Sequence, residues 1–396
     1  MSPSPNIAQL RPSATMAVST LAKRLRAEGR DILDLSAGEP DFPTPDWIAQ
    51  AGVEAIRRGA TRYTPPPGTP DLRKAIAGYL THLSGRDVDW NGVVVTAGAK
   101  QALFNTCFCL FGPGDRVLVA APYWTSHPEI VTLSRAEAVP VAGPAERGFR
   151  LSPAELEAAW TPEVKGLVIC SPSNPTGSVY SREELEAVAR WAKGRNVWLI
   201  SDEIYRSINF TSQGQATGLL DLPSDAVGPH VLVDGASKGF AMTGWRIGFT
   251  VSEVGLAKEM SAFQSHTTSN AAAPSQAAAL EAYTDPQRAQ RVQAELAAIF
   301  QGRRDLLQRL VREQLPGFSF VEPAGAFYLF FNVESDLREG EAGASDWCTR
   351  ILEDVGVALV PGAAFGDDRY ARLSYAASEE DLQEAIRRIA SSVAGR

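Results

Sequence analysis

The residues best suited to chemistry lie in one stretch, Gly235-Ala236-Ser237-Lys238-Gly239-Phe240-Ala241-Met242-Thr243-Gly244-Trp245-Arg246. Between Asp234 and Glu253 the only charged residues are Lys238 and Arg246. A lysine without neighbouring carboxylates, set among Gly, Ala, Phe, Met and Trp, loses hydration, which favours its neutral, nucleophilic amine. Such an amine can form a Schiff base with an aldehyde. The planar fork of an arginine suits phosphate, so the pair points to a phosphorylated aldehyde, pyridoxal 5′-phosphate. Taken alone, the stretch also fits a buried lysine on a structural loop and an arginine at a sheet edge.

Other polar residues stand just after runs that read as strands. Gly98, Ala99 and Lys100 follow the run 93–96, and Tyr123-Trp124 follow 117–120. Asn174 follows 166–170, Asp202 and Tyr205 follow 197–201, and Lys238 follows 231–233. In an open parallel sheet the carboxyl ends of the strands share one edge, where ligands bind. Five such groups at one edge are expected to form a single site. Each has a plainer reading. Asn174 suits an Asn-Pro turn, Asp202 a helix N-cap, and Trp124 a core position. Gly38, in a Gly/Pro loop after a short strand, fits close ligand approach or an ordinary turn. Lys100 is more informative, because a cation in the first turn of a helix opposes the helix dipole. An anion should compensate it, either a cofactor phosphate or a second carboxylate on the substrate.

The elements that must position these residues alternate as strand and helix from residue 93 to about 251. That pattern implies an α/β fold with a mainly parallel sheet covered by helices on both faces. Ser152-Pro153-Ala154-Glu155 and Ser181-Arg182-Glu183-Glu184 read as capping boxes that open two of the helices. Beyond about residue 290 the character changes. A long polar helix at 286–314 precedes strands at 318–321, 326–332, 357–360 and 372–375, with helices at 346–355 and from 378. The expected division is an N-terminal arm with part of a small domain (1–45), a large domain (46–289) and a small α+β domain (290–396).

Bulk properties narrow the class. A hydrophobic fraction of 44% and a charged fraction of 21% are ordinary for a globular enzyme. The net charge of −8 carries no basic footprint for nucleic acid. The four cysteines, Cys107, Cys109, Cys170 and Cys348, lack zinc-type spacing and the four histidines are scattered, so no metal is expected. The first residues lack the apolar core of a signal peptide, and no apolar run approaches the ~20 residues that span a bilayer. The expectation is a cytoplasmic protein without nucleic-acid or membrane partners.

Seven segments carry a resemblance. They are Pro12-Ser13-Ala14-Thr15, Ala37-Gly38-Glu39-Pro40-Asp41, Pro122-Tyr123-Trp124, Ser173-Asn174-Pro175-Thr176-Gly177, Ser201-Asp202-Glu203-Ile204-Tyr205, the stretch from Lys238 to Arg246, and Arg372-Leu373-Ser374-Tyr375. In this order and spacing the chain resembles, over nearly its whole length, the class I aminotransferases of the pyridoxal-phosphate fold type I. It is most similar to the bacterial aspartate aminotransferase subgroup that includes prephenate aminotransferases. The resemblance implies a large domain with a mainly parallel sheet and a smaller α+β domain. It gives Lys238 the Schiff base and the proton transfer at Cα, Asp202 the pyridine nitrogen, and Asn174 and Tyr205 the ring's phenolic oxygen. Trp124 would stack on the ring, while Arg246, Gly98 and Ala99 would hold the phosphate. Tyr63 would reach the phosphate of a neighbouring subunit, implying a homodimer with shared sites. Arg372 would clamp the substrate α-carboxylate. Lys100, with Ser13 and Thr15 nearby, would favour dicarboxylic substrates, aspartate and glutamate.

One position departs from many relatives, which carry Ser where this chain has Gly235, so a phosphate hydroxyl contact is either missing or supplied by Ser237. His266 reads as a polar helix residue. The expected reaction is L-aspartate with 2-oxoglutarate by a ping-pong cycle. Prephenate or aromatic aminotransfer is the nearest alternative, and a same-fold C–S lyase is more remote. A transcription regulator built on this module would need a basic domain before it, for which about 30 residues leave no room, and a dead relative would not keep Lys238, Asp202, Arg246 and Arg372.

Overall fold

The computed structural model describes residues 5–8, 10, 14–211 and 214–394. Ser13, expected at the substrate, lies outside them. Among the described residues twelve strands follow in order: β1 (Leu33–Asp34), β2 (Val93–Thr96), β3 (Arg116–Ala121), β4 (Glu137–Ala142), β5 (Val164–Cys170), β6 (Trp198–Asp202), β7 (His230–Gly235), β8 (Gly248–Val251), β9 (Tyr328–Asn332), β10 (Val357–Ala358), β11 (Val360–Pro361) and β12 (Tyr370–Ser374).

Strands β2 to β8 form one sheet in the order β2-β8-β7-β6-β5-β3-β4. Pairings among β3 to β7 are parallel, while β8 runs antiparallel to both β2 and β7. All the other strands therefore end at one edge, and β8 begins there. The strands are apolar on both faces because helices cover both. Val93 and Val95 join one core cluster while Val94 joins another, and Leu199 and Ile200 divide in the same way. This is period-2 side-chain alternation between two buried layers. Ser152 and Ser181 form the expected capping boxes with Glu155 and Glu184.

A second, three-stranded antiparallel sheet has the order β11-β12-β9, and β1 pairs in parallel with β10. Their aromatic core holds Phe327, Tyr328, Phe331 and Trp347. Two expected strands are shorter than the hydrophobic pattern suggests. Around 318–321 there is a single bridge, Phe320 to Phe331, and Pro323 follows with no N–H for a ladder. Strand β9 starts at Tyr328, because Ala326 has a positive φ of 57° that breaks the extended run. The run 357–360 divides at Leu359, its two halves joining different sheets.

The helix Pro286–Gln314 has the expected bounds and a side-chain cap from Asp285, which accepts from the Arg288 amide. At 29 residues it is about 44 Å long. Arg303 on this helix grips Asp41 with two bonds of 2.6 and 2.9 Å. That ion pair ties the Gly38–Asp41 loop to the helix. Among the described residues no helix is long and apolar enough to cross a membrane, and no group of His, Cys, Asp or Glu could hold a metal ion.

Candidate active site

At the carboxyl edge of the large sheet lies a cavity of about 250 Å³. Its lining includes the cations Lys100, Lys238, Arg246 and Arg372 and the carboxylate Asp202. Gly38, Ala99, Trp124, Asn174, Tyr205 and Ser237 also border it, as does Thr15 from the helix Ala14–Ala27. The groups placed after β2, β3, β5, β6 and β7 thus converge, as the shared strand direction requires.

Lys238 does not sit on a loop. It lies in the one-turn helix Ala236–Gly239 directly after β7. Its amine donates to the Gly38 carbonyl at 2.7 Å. Burial lowers its pKa to about 8, opposed by the Glu39 charge and aided by Arg246 and Arg372. The amine is thus easily freed of its proton, as a nucleophile or base must be.

Asp202 ends β6 at 3% exposure, and its Oδ2 lies 3.0 Å from Nε2 of His127, also 3% exposed. Oδ1 contacts the Ile204 amide at 3.3 Å, so a weak turn contact coexists with a place at the cavity. His127 is not among the residues that the sequence singles out, because four scattered histidines without ligand spacing carry no pattern of their own. Its position three residues after Trp124, in the first turn of the helix Ser126–Leu133, was the available signal. The Trp124 and His127 rings meet edge to face at 5.4 Å.

Arg246 adopts a left-handed φ of 57° just before β8. This conformation costs a non-glycine residue roughly 1–3 kcal/mol and is retained when its surroundings over-determine it. Its Nη1 donates to the Thr243 carbonyl at 2.9 Å, and the guanidinium lies against Gly98. Gly98 has φ +87°, and a Cβ there would overlap that guanidinium. Glycine therefore lets the start of the helix Ala99–Leu110 approach the arginine. Lys100 stands 4.9 Å above the Trp124 ring. Burial and then the Arg246 charge lower its pKa. Two cations and a helix N-terminus share this corner, which is the electrostatic setting of an anion site.

Arg372, which also lines the cavity, is 1% exposed. Nη1 donates to Asn174 Oδ1 at 2.9 Å and Nη2 to the Ser36 carbonyl at 2.6 Å. Nε is buried without a protein partner. Burying an unpaired guanidinium N–H is costly. Tyr205 meets Tyr328 through their hydroxyls at 2.7 Å. Tyr328, at the start of β9, was missed because an aromatic in an apolar run reads as core.

Gly235 resolves the departure noted above. A Cβ there would lie 2.7 Å from the Ile247 carbonyl and 2.8 Å from the Gly248 Cα. The close approach of β7 and β8 leaves no room for a side chain, while Ser237 borders the cavity. Tyr63, by contrast, is 90% exposed and does not reach this chain's cavity. His266 is exposed at the end of the helix Val254–Ser265 and takes no part.

Residues 30–389 match the family model for aminotransferase class I and II. A probable aspartate/prephenate aminotransferase of Rhizobium leguminosarum is 40% identical, with 97% of this chain and 96% of that protein aligned. The aspartate/prephenate aminotransferase of Thermus thermophilus is 42% identical, with 96% of each covered. The solved structure of the Thermus thermophilus aspartate aminotransferase with maleate superposes with a TM-score of 0.91 at 39% identity, covering 99% of both chains. The architecture is that of fold type I, and the chain belongs to the class I and II aminotransferases.

Proposed function

We propose that this enzyme is a pyridoxal 5′-phosphate-dependent L-aspartate:2-oxoglutarate aminotransferase that works by a ping-pong cycle. One observation carries the reading. A single cavity gathers an easily deprotonated amine, a carboxylate held by a histidine, and two separate cationic ends. The Arg372 guanidinium in the lining and the Lys100–Arg246 corner at a helix N-terminus both suit anionic groups, so the lining fits this cofactor and a dicarboxylic substrate. Relatives at 40% and 39% identity are named aspartate aminotransferase.

Bound pyridoxal phosphate supplies an aldehyde that takes up the substrate's amino group and a ring that holds the electron pair left at Cα. The protein's own groups do the rest. Arg246, the Ala99 amide and the Ser237 hydroxyl would hold the phosphate, whereas the Gly98 amide, expected to join them, donates instead to the Thr96 carbonyl at 2.8 Å. Asp202, fixed by His127, keeps a proton on the ring nitrogen, and Asn174 and Tyr205 address the phenolic oxygen. Trp124 packs on the ring face. Arg372 takes the α-carboxylate and Lys100 the distal one, with Thr15 and Gly38 alongside. The Lys238 amine would take the proton from the substrate Cα, acting as base and then as acid. Tyr63 serves the site of a second copy, which makes the enzyme a homodimer with shared sites. The reading includes a cytoplasmic location and the division 1–45, 46–289 and 290–396. The separate small sheet and the β1–β10 pairing support that division.

The test is a half-reaction. Adding L-aspartate without keto acid to the cofactor-loaded protein should bleach its visible band and release stoichiometric oxaloacetate. Conversion by glutamate or an aromatic amino acid but not by aspartate would discard the substrate and keep the chemistry. Relatives named aspartate/prephenate aminotransferase support a second reading, in which prephenate accepts the amino group from the loaded enzyme.

A further inference from the structure

We propose that Tyr328 is a positioning residue that aims the Tyr205 hydroxyl proton into the cavity and makes this aim depend on Arg372. The inference rests on the cofactor reading above, in which Tyr205 faces the phenolic oxygen.

The geometry follows from the sheet register. Tyr328 pairs with Ser374 across β9 and β12, and Arg372 lies two residues from Ser374 on the same strand face. Tyr328 and Arg372 are therefore diagonal neighbours, within reach for long side chains. The guanidinium carbon lies 4.5 Å from the Tyr328 ring centroid. The Tyr328 hydroxyl lies 2.7 Å from that of Tyr205, which comes from beyond β6 in the other sheet. A Cβ on Gly38 would approach the Tyr328 oxygen to 3.0 Å, so glycine leaves the phenol its place. Tyr328 is fully buried, and Cys170, buried beside it, borders the cavity.

Each phenol has one proton to donate. If Tyr205 donates to Tyr328, nothing is left for the cavity. If Tyr328 donates, the Tyr205 proton is free to point inward. A cation over a phenol ring strengthens the O–H as a donor, and a phenol that accepts a bond becomes a better donor itself. Burial raises the Tyr328 pKa to about 12, and the Arg372 charge is the first influence that opposes it. For Tyr205, raised well above 10 by burial, the Arg372 charge is the last. The proton order that results is Tyr328 to Tyr205 to cavity. A carboxylate bound at Arg372 neutralises that cation, so Tyr328 and then Tyr205 donate more weakly. Substrate binding at one end of the cavity is thereby reported at the other.

The test is the pH midpoint of the bound cofactor's absorbance band in wild type and Tyr328→Phe, without ligand and with succinate, which has two carboxylates and no amino group. A weaker donor to the phenolic oxygen leaves more negative charge there to hold the nearby proton. Tyr328→Phe should therefore raise the ligand-free midpoint by roughly 0.3–1 unit, the size of one neutral hydrogen bond. It should also shrink the upward shift that succinate causes. Added to Tyr205→Phe, the change should move the midpoint no further. Unaltered midpoints in Tyr328→Phe, or full additivity with Tyr205→Phe, would overturn the proposal. Should Tyr328→Phe fail to fold, wild-type succinate data decide: no shift in midpoint on saturation overturns it. A wild type that develops no visible band with pyridoxal phosphate overturns the cofactor reading itself, a different and recognisable result.

Discussion

Lys238 carries an amine whose pKa is lowered to about 8, against an ordinary value near 10.5. Two consequences follow at this residue. Lys238→Ala should lower turnover by at least about 10⁴-fold while leaving the circular dichroism unchanged. In the cofactor-free protein the burial also costs stability. Below pH 8 the amine is charged in both the folded and unfolded states, so the full cost applies. Between 8 and 10.5 the unfolded chain binds the extra proton, and the stability of the native state rises with pH. Lys238→Met should therefore be more stable than wild type below pH 8, and denaturant titrations should show the difference vanish towards pH 10.5. Lys100→Ala should raise the KM for aspartate by about 10- to 100-fold, the loss of one charge-assisted bond, with little effect on a neutral amino acid. Equal losses for both substrates would remove the distal-carboxylate role. These cations and Asp202 could be read from the sequence because polar groups just after strand ends are conspicuous. Tyr328 could not, and His127 only through its place three residues after Trp124; the fold brings them within 2.7 and 3.0 Å of Tyr205 and Asp202.

Among the elements, the tight seam between β7 and β8 makes the clearest prediction. Gly235→Ser would set a side chain against the Ile247 carbonyl and the Gly248 Cα. It should lower the thermal midpoint, at a cost of about 1–3 kcal/mol, and should not tighten cofactor binding measured by fluorescence titration. A gain in affinity would mean that the hydroxyl at this position had been missing. Strands β2 and β5 to β7, the capping boxes and the long helix were readable within a residue or two. Their signals are local: Val/Ile runs, Ser-x-x-Glu and helical spacing. The strand ends in the second sheet were not readable, because the backbone of Ala326 and the switch of partner at Leu359 depend on distant chain. Pattern alone gives no helix at the lysine turn, since four residues are too few for a helical period.

For the whole molecule, the exposed Tyr63 is the best test of the shared-site arrangement. Tyr63→Ala and Lys238→Ala homodimers should each be impaired. Unfolding and refolding them together should restore activity, because half of the hybrid's sites hold both native residues. No recovery, with hybrids demonstrated by native mass spectrometry, would mean that each copy works alone. The pairing of β1 with β10 and the bond from Arg372 to the Ser36 carbonyl span 336 residues of chain in the latter case. On a ribosome, residues 33–36 thus wait on the order of 20–70 s for their partners to be made. The large sheet, complete by Val251, can close long before that. Arg372, proposed above to take the α-carboxylate, is thus the last of the site residues to arrive, and a truncated chain that lacks β12 should hold a sheet and a lysine yet lack that proposed grip on an amino acid.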